Sequence, residues 1–108
     1  VFELDGNRYG IAVCFDLRFS EFFSAMGKKD PQIIFVPAAF NMTTGPVHWE
    51  ITNRMRALDQ QCFVVTCAPA HNDESIYVSY GHSMVCNPYG QVVCDLGEDE
   101  KATVFEID

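Results

Sequence analysis

The sequence has few basic residues and no long apolar run. Seven Lys and Arg residues stand against 15 Asp and Glu residues, which gives a formal net charge of -8. Because the basic residues are scattered, the electropositive patch of nucleic-acid-binding proteins is missing. The longest apolar run, residues 33–40, is much shorter than the ~20 residues of a membrane span. We therefore expect neither nucleic acid nor a membrane as a partner.

Paired cysteine motifs and metal-ligand spacings are also missing. The five cysteines are an odd number without a Cys-x-x-Cys pair, and Cys62 and Cys67 fall on opposite faces of one predicted strand. The histidines, His48, His71 and His82, share no metal-ligand spacing with each other or with a cysteine. Nothing resembles a signal peptide. We expect reduced thiols, no metal and a cytoplasmic location.

The segment around Cys14 carries the clearest chemical signal. Residues 9–13 are apolar and β-prone, and the apolar residues that follow Cys14 recur at helical spacing. Cys14 is therefore predicted at a strand-to-helix turn, where helix-start amides stabilise a thiolate and can bind an oxyanion. Many hydrolases place their nucleophile at such a turn. We interpret Cys14 as a candidate nucleophile, the alternative being a small buried hydrophobic residue.

The predicted elements alternate between strands and helices. Asp5-Gly6-Asn7 is a hairpin turn signal, and the strand at 32–36 lacks polar alternation, which indicates burial on both faces. Thr44 and Pro46 predict an N-cap and a first-turn proline for the second helix. The elements in order are strands at 2–4 and 8–13, a helix at 14–26, a strand at 32–36, a helix from 46, and strands at 62–67, 82–86, 91–94 and 102–107.

The second helix is predicted to be amphipathic. Glu50 and Arg54 lie four residues apart on its polar side and can form an ion pair. Its apolar positions keep helical spacing. They are Val47, Ile51, Met55, Leu58 and Cys62.

This order of elements predicts a single α/β domain with a parallel sheet. Strand-helix-strand crossovers are right-handed in nearly all known cases, so the three strands joined by the two helices are expected to be parallel. The segments that follow them, residues 14–18, 38–45 and 68–80, then emerge at one carboxyl edge, where open α/β sheets bind ligands. An antiparallel hairpin follows, with Asn87-Pro88-Tyr89-Gly90 as its turn.

A cysteine hydrolase also needs a base for its thiol. His48 and Glu50 are the candidates within the chain, because the loop before their helix starts at the same sheet edge as Cys14. Lys28 and Lys29 are predicted at the far end of the first helix and cannot reach the thiol. His48 and Glu50 are better explained as polar residues at a helix start, so the residues alone indicate an α/β domain with an incomplete thiol site.

Four motifs resemble the carbon-nitrogen hydrolase (nitrilase) superfamily and follow in that family's order. They are residues 10–19 (GIAVCFDLRF), 37–50 (PAAFNMTTGPVHWE), 54–57 (RMRA), and 80–83 with 87–90 (YGHS and NPYG). The resemblance covers the whole chain. Residues 40–45 and 68–70 are most similar to the omega-amidase branch, with deaminated glutathione amidase as the near alternative.

The resemblance implies an α-β-β-α sandwich, of which residues 1–108 are expected to be the C-terminal portion of one domain. It assigns the nucleophile to Cys14 and one oxyanion donor to the backbone amide of Phe15. The family's Glu base and Lys are expected upstream of this sequence. Two residues depart from the family's usual pattern, in which Tyr stands at Phe15 and Pro at Ser20; the missing proline is expected to loosen the helix start slightly.

The implied reaction is thiolate attack on a primary amide, loss of ammonia and hydrolysis of the thioester, without a cofactor. In the omega-amidase branch the substrates are alpha-ketoglutaramate and alpha-ketosuccinamate, whose carboxylate requires a cation. Arg18 is the candidate for this cation, the alternative being an ion pair with Asp16 or Glu21. Phe40 and Thr44 could line the same pocket, or could serve only as a core residue and a helix cap.

A different class of function also remains open. The family often forms dimers, and residues 1–108 could be a non-catalytic module that only dimerises. The sequence upstream distinguishes the two hypotheses, because a Glu and a Lys in suitable context support the enzyme. The expected partners of the enzyme are a small-molecule amide and a second copy of the protein.

Overall fold

A six-stranded mixed sheet carries two helices on one of its faces. A computed structural model describes all 108 residues. The strands are β1 (Phe2–Leu4), β2 (Asn7–Ile11), β3 (Ile33–Pro37), β4 (Phe63–Cys67), β5 (Met84–Cys86) and β6 (Val92–Asp95), and the helices are α1 (Ser20–Gly27) and α2 (Glu50–Gln60). A 3₁₀ turn at Cys14–Arg18 precedes α1, and a π-helical turn at Gly45–Trp49 leads into α2. Neither helix has the length and hydropathy of a membrane-spanning segment.

The strands lie in sequence order across the sheet. β2, β3 and β4 are parallel, with Ile11 opposite Phe35 and Phe35 opposite Val65, which confirms the predicted parallel unit. β1, β5 and β6 are antiparallel to their neighbours, as the two hairpin predictions require. In the first hairpin turn Asp5 and Gly6 both have positive φ, at 51° and 79°, the geometry of a type I′ turn.

Only one face of the sheet is buried within this chain. Ile34, Val36 and Val64 point toward the helices and are almost fully buried, whereas Ile11 is 51% exposed and Phe35 38% exposed on the opposite face. The expected burial of the strand at 32–36 on both faces is therefore wrong for this chain. The reason is that both crossover helices pack on the same side of the sheet.

The helix predicted for residues 14–26 is interrupted. The 3₁₀ turn ends at Arg18, Phe19 is extended with φ -101° and ψ 100°, and α1 begins only at Ser20. Apolar residues at helical spacing thus continue across a break that separates the Cys14 turn from the helix.

Residues 102–107, predicted as a last strand, form no strand. They run along the exposed sheet face, where Phe105 and Ile107 lie near Phe35.

The regularly spaced apolar positions of α2 and the turn before it face outward. Val47, Ile51, Met55 and Leu58 are 64%, 62%, 48% and 42% exposed. The side that faces the sheet instead contains Trp49, Asn53, Arg56 and Ala57. The possible Glu50–Arg54 ion pair is not formed, because Arg54 Nε donates to the carbonyl oxygen of Gly90 at 2.7 Å.

The start of α1 gives a stability prediction. Ser20 is the first helical residue, and the extended Phe19 before it has the conformation that a following proline requires. Ser20→Pro should therefore raise the free energy of unfolding by about 0.4–1 kcal/mol through the unfolded state, measured by urea denaturation. Ser24→Pro, in the middle of the same helix, is the control and should cost about 3 kcal/mol. Destabilisation by Ser20→Pro would contradict the assigned helix start.

Candidate active site

Cys14 occupies a strained position three residues after the end of β2. Its φ of 48° lies in the left-handed region, which few non-glycine residues adopt and which is costly for a residue with a Cβ. Asp16 stabilises this geometry, because its Oδ2 accepts a hydrogen bond from Val13 N at 2.9 Å and its own amide donates to the Val13 carbonyl at 3.0 Å. The amide of Phe15 is one of the first in the turn, where intrahelical acceptors are lacking. The turn therefore presents a thiol beside an amide donor.

Three loops meet at the Cys14 thiol, as predicted for the carboxyl edge of the sheet. The Sγ atom is half-buried and lies 3.9 Å from the carbonyl oxygen of Ala39, in the loop after β3. The Tyr77 hydroxyl, from the loop after β4, donates to that same carbonyl oxygen at 2.7 Å. The backbone amide of Tyr80 donates to the Phe40 carbonyl at 2.7 Å and holds the two loops together. Sequence patterns gave no sign of Tyr77, because its contact spans 38 residues.

Arg18 lies between two aromatic rings and a histidine. Its Cζ atom is 4.9 Å from the ring centroid of Phe40 and 5.4 Å from that of Phe15. Both terminal guanidinium nitrogens lie 3.4 Å from His48 Nδ1. Because a guanidinium can only donate, Nδ1 is the acceptor in this contact. The structure brings Arg18 and Phe40 together, as predicted, and adds the ring of Phe15, which was predicted only to supply a backbone amide.

The alternative explanation for Arg18 is wrong. Arg18 forms no ion pair within the chain, with either Asp16 or Glu21. Asp16 is instead engaged with the Val13 amide. A cation that is positioned by ring faces, without an internal carboxylate, can bind a carboxylate from outside.

Phe40 and Thr44 differ in their relation to the site. Phe40 is buried, with its ring centroid 4.9 Å from that of Trp49, and its ring also contacts Arg18. It is therefore both a core residue and part of the wall of the candidate pocket. Thr44 precedes the π-helical turn but makes no capping hydrogen bond there; its hydroxyl donates to Asn41 Oδ1 at 3.1 Å. Thr44 therefore occupies the predicted N-cap position, with Pro46 in the first turn, but its side chain does not form the expected capping hydrogen bond.

Asn41 organises the loop that Thr44 belongs to. Its Oδ1 accepts the amides of Thr43 and Thr44 at 3.0 and 2.9 Å, and its carbonyl accepts the amide of Gly45 at 2.8 Å. Asparagine is favoured in such turns because its side chain can bond to the backbone two residues on. That preference is the signal by which sequence analysis could have found it.

The other polar candidates lie away from the thiol. His48 contacts Arg18, and neither His48 nor Glu50 bonds to Cys14 Sγ, whose one hydrogen-bond partner is the Ala39 carbonyl. His71 belongs to the loop after β4; burial tends to lower its pKa, but hydrogen bonds with Asp73 and Ser79 raise it above its ordinary value. The chain brings together no three His, Cys, Asp or Glu side chains that could hold a metal ion.

Two of the other four thiols, those of Cys62 and Cys86, are unreactive near neutral pH. Burial raises the pKa of Cys62 to about 12, with a further contribution from the negative charge of Asp59. Burial also raises the pKa of Cys86 to about 12. Because the thiolate is the reactive form, both cysteines are protonated and unreactive near neutral pH.

The chain resembles known proteins along its whole length. A family model for carbon-nitrogen hydrolases matches residues 1–108. The omega-amidase NIT2 of Xenopus tropicalis is 43% identical over 108 residues, covering 100% of this chain and 39% of that protein. The NIT2 omega-amidase of Homo sapiens is also 43% identical, over 107 residues, covering 99% of this chain and 39% of that protein.

The fold is shared with a solved structure. Saccharomyces cerevisiae Nit3, a member of branch 10 of the nitrilase superfamily, matches with a TM-score of 0.83 and 42% identity. The match covers 86% of this chain and 34% of that chain. The predicted α/β fold of the nitrilase superfamily is thereby confirmed. The chain spans well under half the length of the relatives it matches.

The thiol environments predict a pattern of alkylation. At pH 8, with the protein folded, iodoacetamide should label Cys14 while Cys62 and Cys86 stay unlabelled, because a pKa of about 12 leaves only a thiolate fraction of roughly 10⁻⁴. Peptide mass spectrometry measures the rate at each site. In urea the two buried cysteines should react as readily as any other thiol. Labelling of Cys62 before Cys14 in the folded protein would contradict the assigned environments.

Proposed function

The chain belongs to the carbon-nitrogen hydrolase family, and we propose that it supplies the nucleophile of an amidase acting on small omega-amido dicarboxylates such as alpha-ketoglutaramate. The observation that carries the proposal is the juxtaposition in one turn of the left-handed Cys14 and the unpaired cation Arg18. The first provides the attacking thiol and the second a site for the far carboxylate of the substrate.

The proposed reaction is an acyl transfer through Cys14. A glutamate upstream takes the thiol proton, and the thiolate sulfur bonds to the amide carbon as the carbonyl electron pair moves to oxygen. The Phe15 amide donates a hydrogen bond to that oxyanion. Collapse expels the amine, which takes up the proton and leaves as ammonia, and a thioester remains. Water then attacks the thioester, which releases the acid and restores the thiol.

The triad partners are proposed to lie outside this sequence. The chain covers 39% of the NIT2 relatives, and no lysine or glutamate of the chain bonds to the Cys14 thiol. We also propose that these 108 residues are the C-terminal portion of one domain. The exposed apolar sheet face around Ile11 and Phe35 supports this proposal, because a second sheet packed there gives the α-β-β-α sandwich.

The proposed substrate class follows from how Arg18 is held. The rings of Phe15 and Phe40 position the guanidinium, and the edge formed by its two terminal nitrogens makes only a long contact of 3.4 Å with His48 Nδ1, which a substrate carboxylate can displace. A carboxylate binds such an edge through two parallel hydrogen bonds. Deaminated glutathione also carries carboxylates and remains the alternative substrate, and a purely dimerising, non-catalytic role remains the alternative function.

Replacement of Arg18 tests the substrate assignment. In the full-length protein, Arg18→Lys should lower kcat/KM for alpha-ketoglutaramate roughly tenfold to a hundredfold, because an ammonium keeps the charge but lacks the two-pronged geometry. A neutral primary amide of similar length should be affected much less. The measurement is the ratio of the two specificity constants in wild type and variant, with thermal stability followed in parallel.

Cys14→Ala is the control for the chemistry and should abolish turnover of both amides while the protein stays folded. An equal loss for the charged and the neutral amide in Arg18→Lys would show that the carboxylate is held elsewhere. Faster turnover of deaminated glutathione than of alpha-ketoglutaramate by the wild type would favour the alternative substrate. Full activity of Cys14→Ala would reject the proposed nucleophile.

We further propose that the full-length protein is a homodimer that uses the outward face of α2. This face presents Val47, Ile51, Met55 and Leu58 to solvent in this chain. A row of exposed apolar side chains on one helix is the pattern of a helix-packing interface, and a two-fold axis along such a face makes it self-complementary.

A charge on that face tests the dimer. Ile51→Glu in the full-length protein should convert the dimer to a monomer, because dimerisation would bury the new carboxylate without a partner. Ile76→Glu is the matched control, since Ile76 is fully exposed in the loop after β4, away from α2. Light scattering coupled to size exclusion measures the mass. A dimer that survives Ile51→Glu, or a monomeric wild type, would reject the proposed interface.

A further inference from the structure

Arg56 is a buried cation that the proposed reaction does not use. It lies on the sheet-facing side of α2 and is 9% exposed. It belongs to the Arg54-Met55-Arg56-Ala57 motif, to which neither substrate binding nor the acyl transfer assigns a role. Because burying a charged group is costly unless its hydrogen bonds are satisfied, the contacts of Arg56 show what the charge is retained for.

Three elements converge on the Arg56 guanidinium. Its Nε donates to the carbonyl oxygen of Leu17 at 2.9 Å, and a terminal nitrogen lies 3.2 Å from Asp59 Oδ2 in the same helix. The Cζ atom lies 5.6 Å from the ring centroid of Phe23 in α1. Arg56 therefore connects α2 to α1 and, through Leu17, to the turn that carries Cys14.

The bond to Leu17 fixes the end of the nucleophile turn. Carbonyl groups in the last turn of a short helix lack intrahelical donors and need one from elsewhere. The Asp16 carboxylate fixes the start of the turn through the Val13 amide, and Arg56 fixes its end through the Leu17 carbonyl. Cys14 lies between these two points with its φ of 48°.

We propose that Arg56 is a positioning residue that holds Cys14 in its left-handed, reactive conformation. The inference rests on the proposed function only in taking Cys14 as the nucleophile. A strained backbone conformation persists only where its surroundings enforce it, and the Leu17 carbonyl is three residues from Cys14. Removal of the Nε–H donor lets the turn relax toward an unstrained conformation and moves the thiol from its place beside the oxyanion donor.

Arg54 is a matched control on the same helix. Its Nε also donates to a backbone carbonyl, that of Gly90 at 2.7 Å, in the turn between β5 and β6. Arg54→Met and Arg56→Met therefore remove the same charge and the same kind of hydrogen bond. Only the second change releases the nucleophile turn.

The test is site-resolved alkylation of the full-length protein by iodoacetamide. Arg56→Met should lower the Cys14 rate roughly tenfold, because a thiol displaced from the amides of the turn loses hydrogen bonds that stabilise its thiolate, the form that reacts. Arg54→Met should leave that rate within twofold of wild type. Cys62 and Cys86 should stay unlabelled, because their labelling would report unfolding instead.

Arg56→Lys keeps the test decisive if Arg56→Met does not fold. Lysine keeps a cation near Asp59 but has no group equivalent to Nε–H at the Leu17 carbonyl. It should slow Cys14 alkylation while Cys62 and Cys86 stay protected, and in the amidase assay it should lower kcat more than it changes KM. An unchanged Cys14 rate in folded Arg56→Lys would overturn the proposal. Because alkylation needs no substrate, that result is distinguishable from a failure of the proposed amidase function.

Discussion

The left-handed backbone of Cys14 is the constraint on which the arrangement of this site depends. The chain has to leave β2 and turn at once, so that the thiol lies beside the amides of the following turn. For a residue with a Cβ that conformation costs on the order of 1–3 kcal/mol. Asp16 on one side and Arg56 on the other supply the hydrogen bonds that oppose relaxation. The local strain is thus offset by contacts from a helix about 40 residues further along the chain.

Helix α2 and the turn before it contact three parts of the molecule. Arg56 on its inner side holds the nucleophile turn, and Arg54 holds the turn between β5 and β6 through the Gly90 carbonyl. The π-helical turn before it places His48 against Arg18. Its outer side remains apolar and exposed. One helix, with the turn before it, therefore contacts the nucleophile turn and the proposed carboxylate site and carries the proposed dimer surface.

The parts of the fold that sequence analysis predicted correctly depend on local signals. The Asp5-Gly6 turn requires positive φ at consecutive residues, and the parallel strands follow from the handedness of their crossovers. The incorrect predictions, the continuous helix at 14–26 and the strand at 102–107, share one cause: a local pattern does not show how a segment packs against the rest of the chain. Helical spacing continued from Cys14 through Met26, yet the extended backbone of Phe19 separates the 3₁₀ turn from α1. Alternation at 102–107 could not show whether a strand edge was available for pairing.

The sequence by itself determined that a cysteine stands between an apolar strand and a helix, with an arginine four residues later, because hydrophobic period and spacing are local properties. Only the tertiary structure decided which partners those residues have. Arg18 lies between Phe15 and Phe40 instead of pairing with Asp16, and the apolar positions of α2 face solvent while Arg56 faces the core. Such choices depend on contacts between residues about 20 to 40 positions apart, which set the rotation of each helix and which no local pattern encodes.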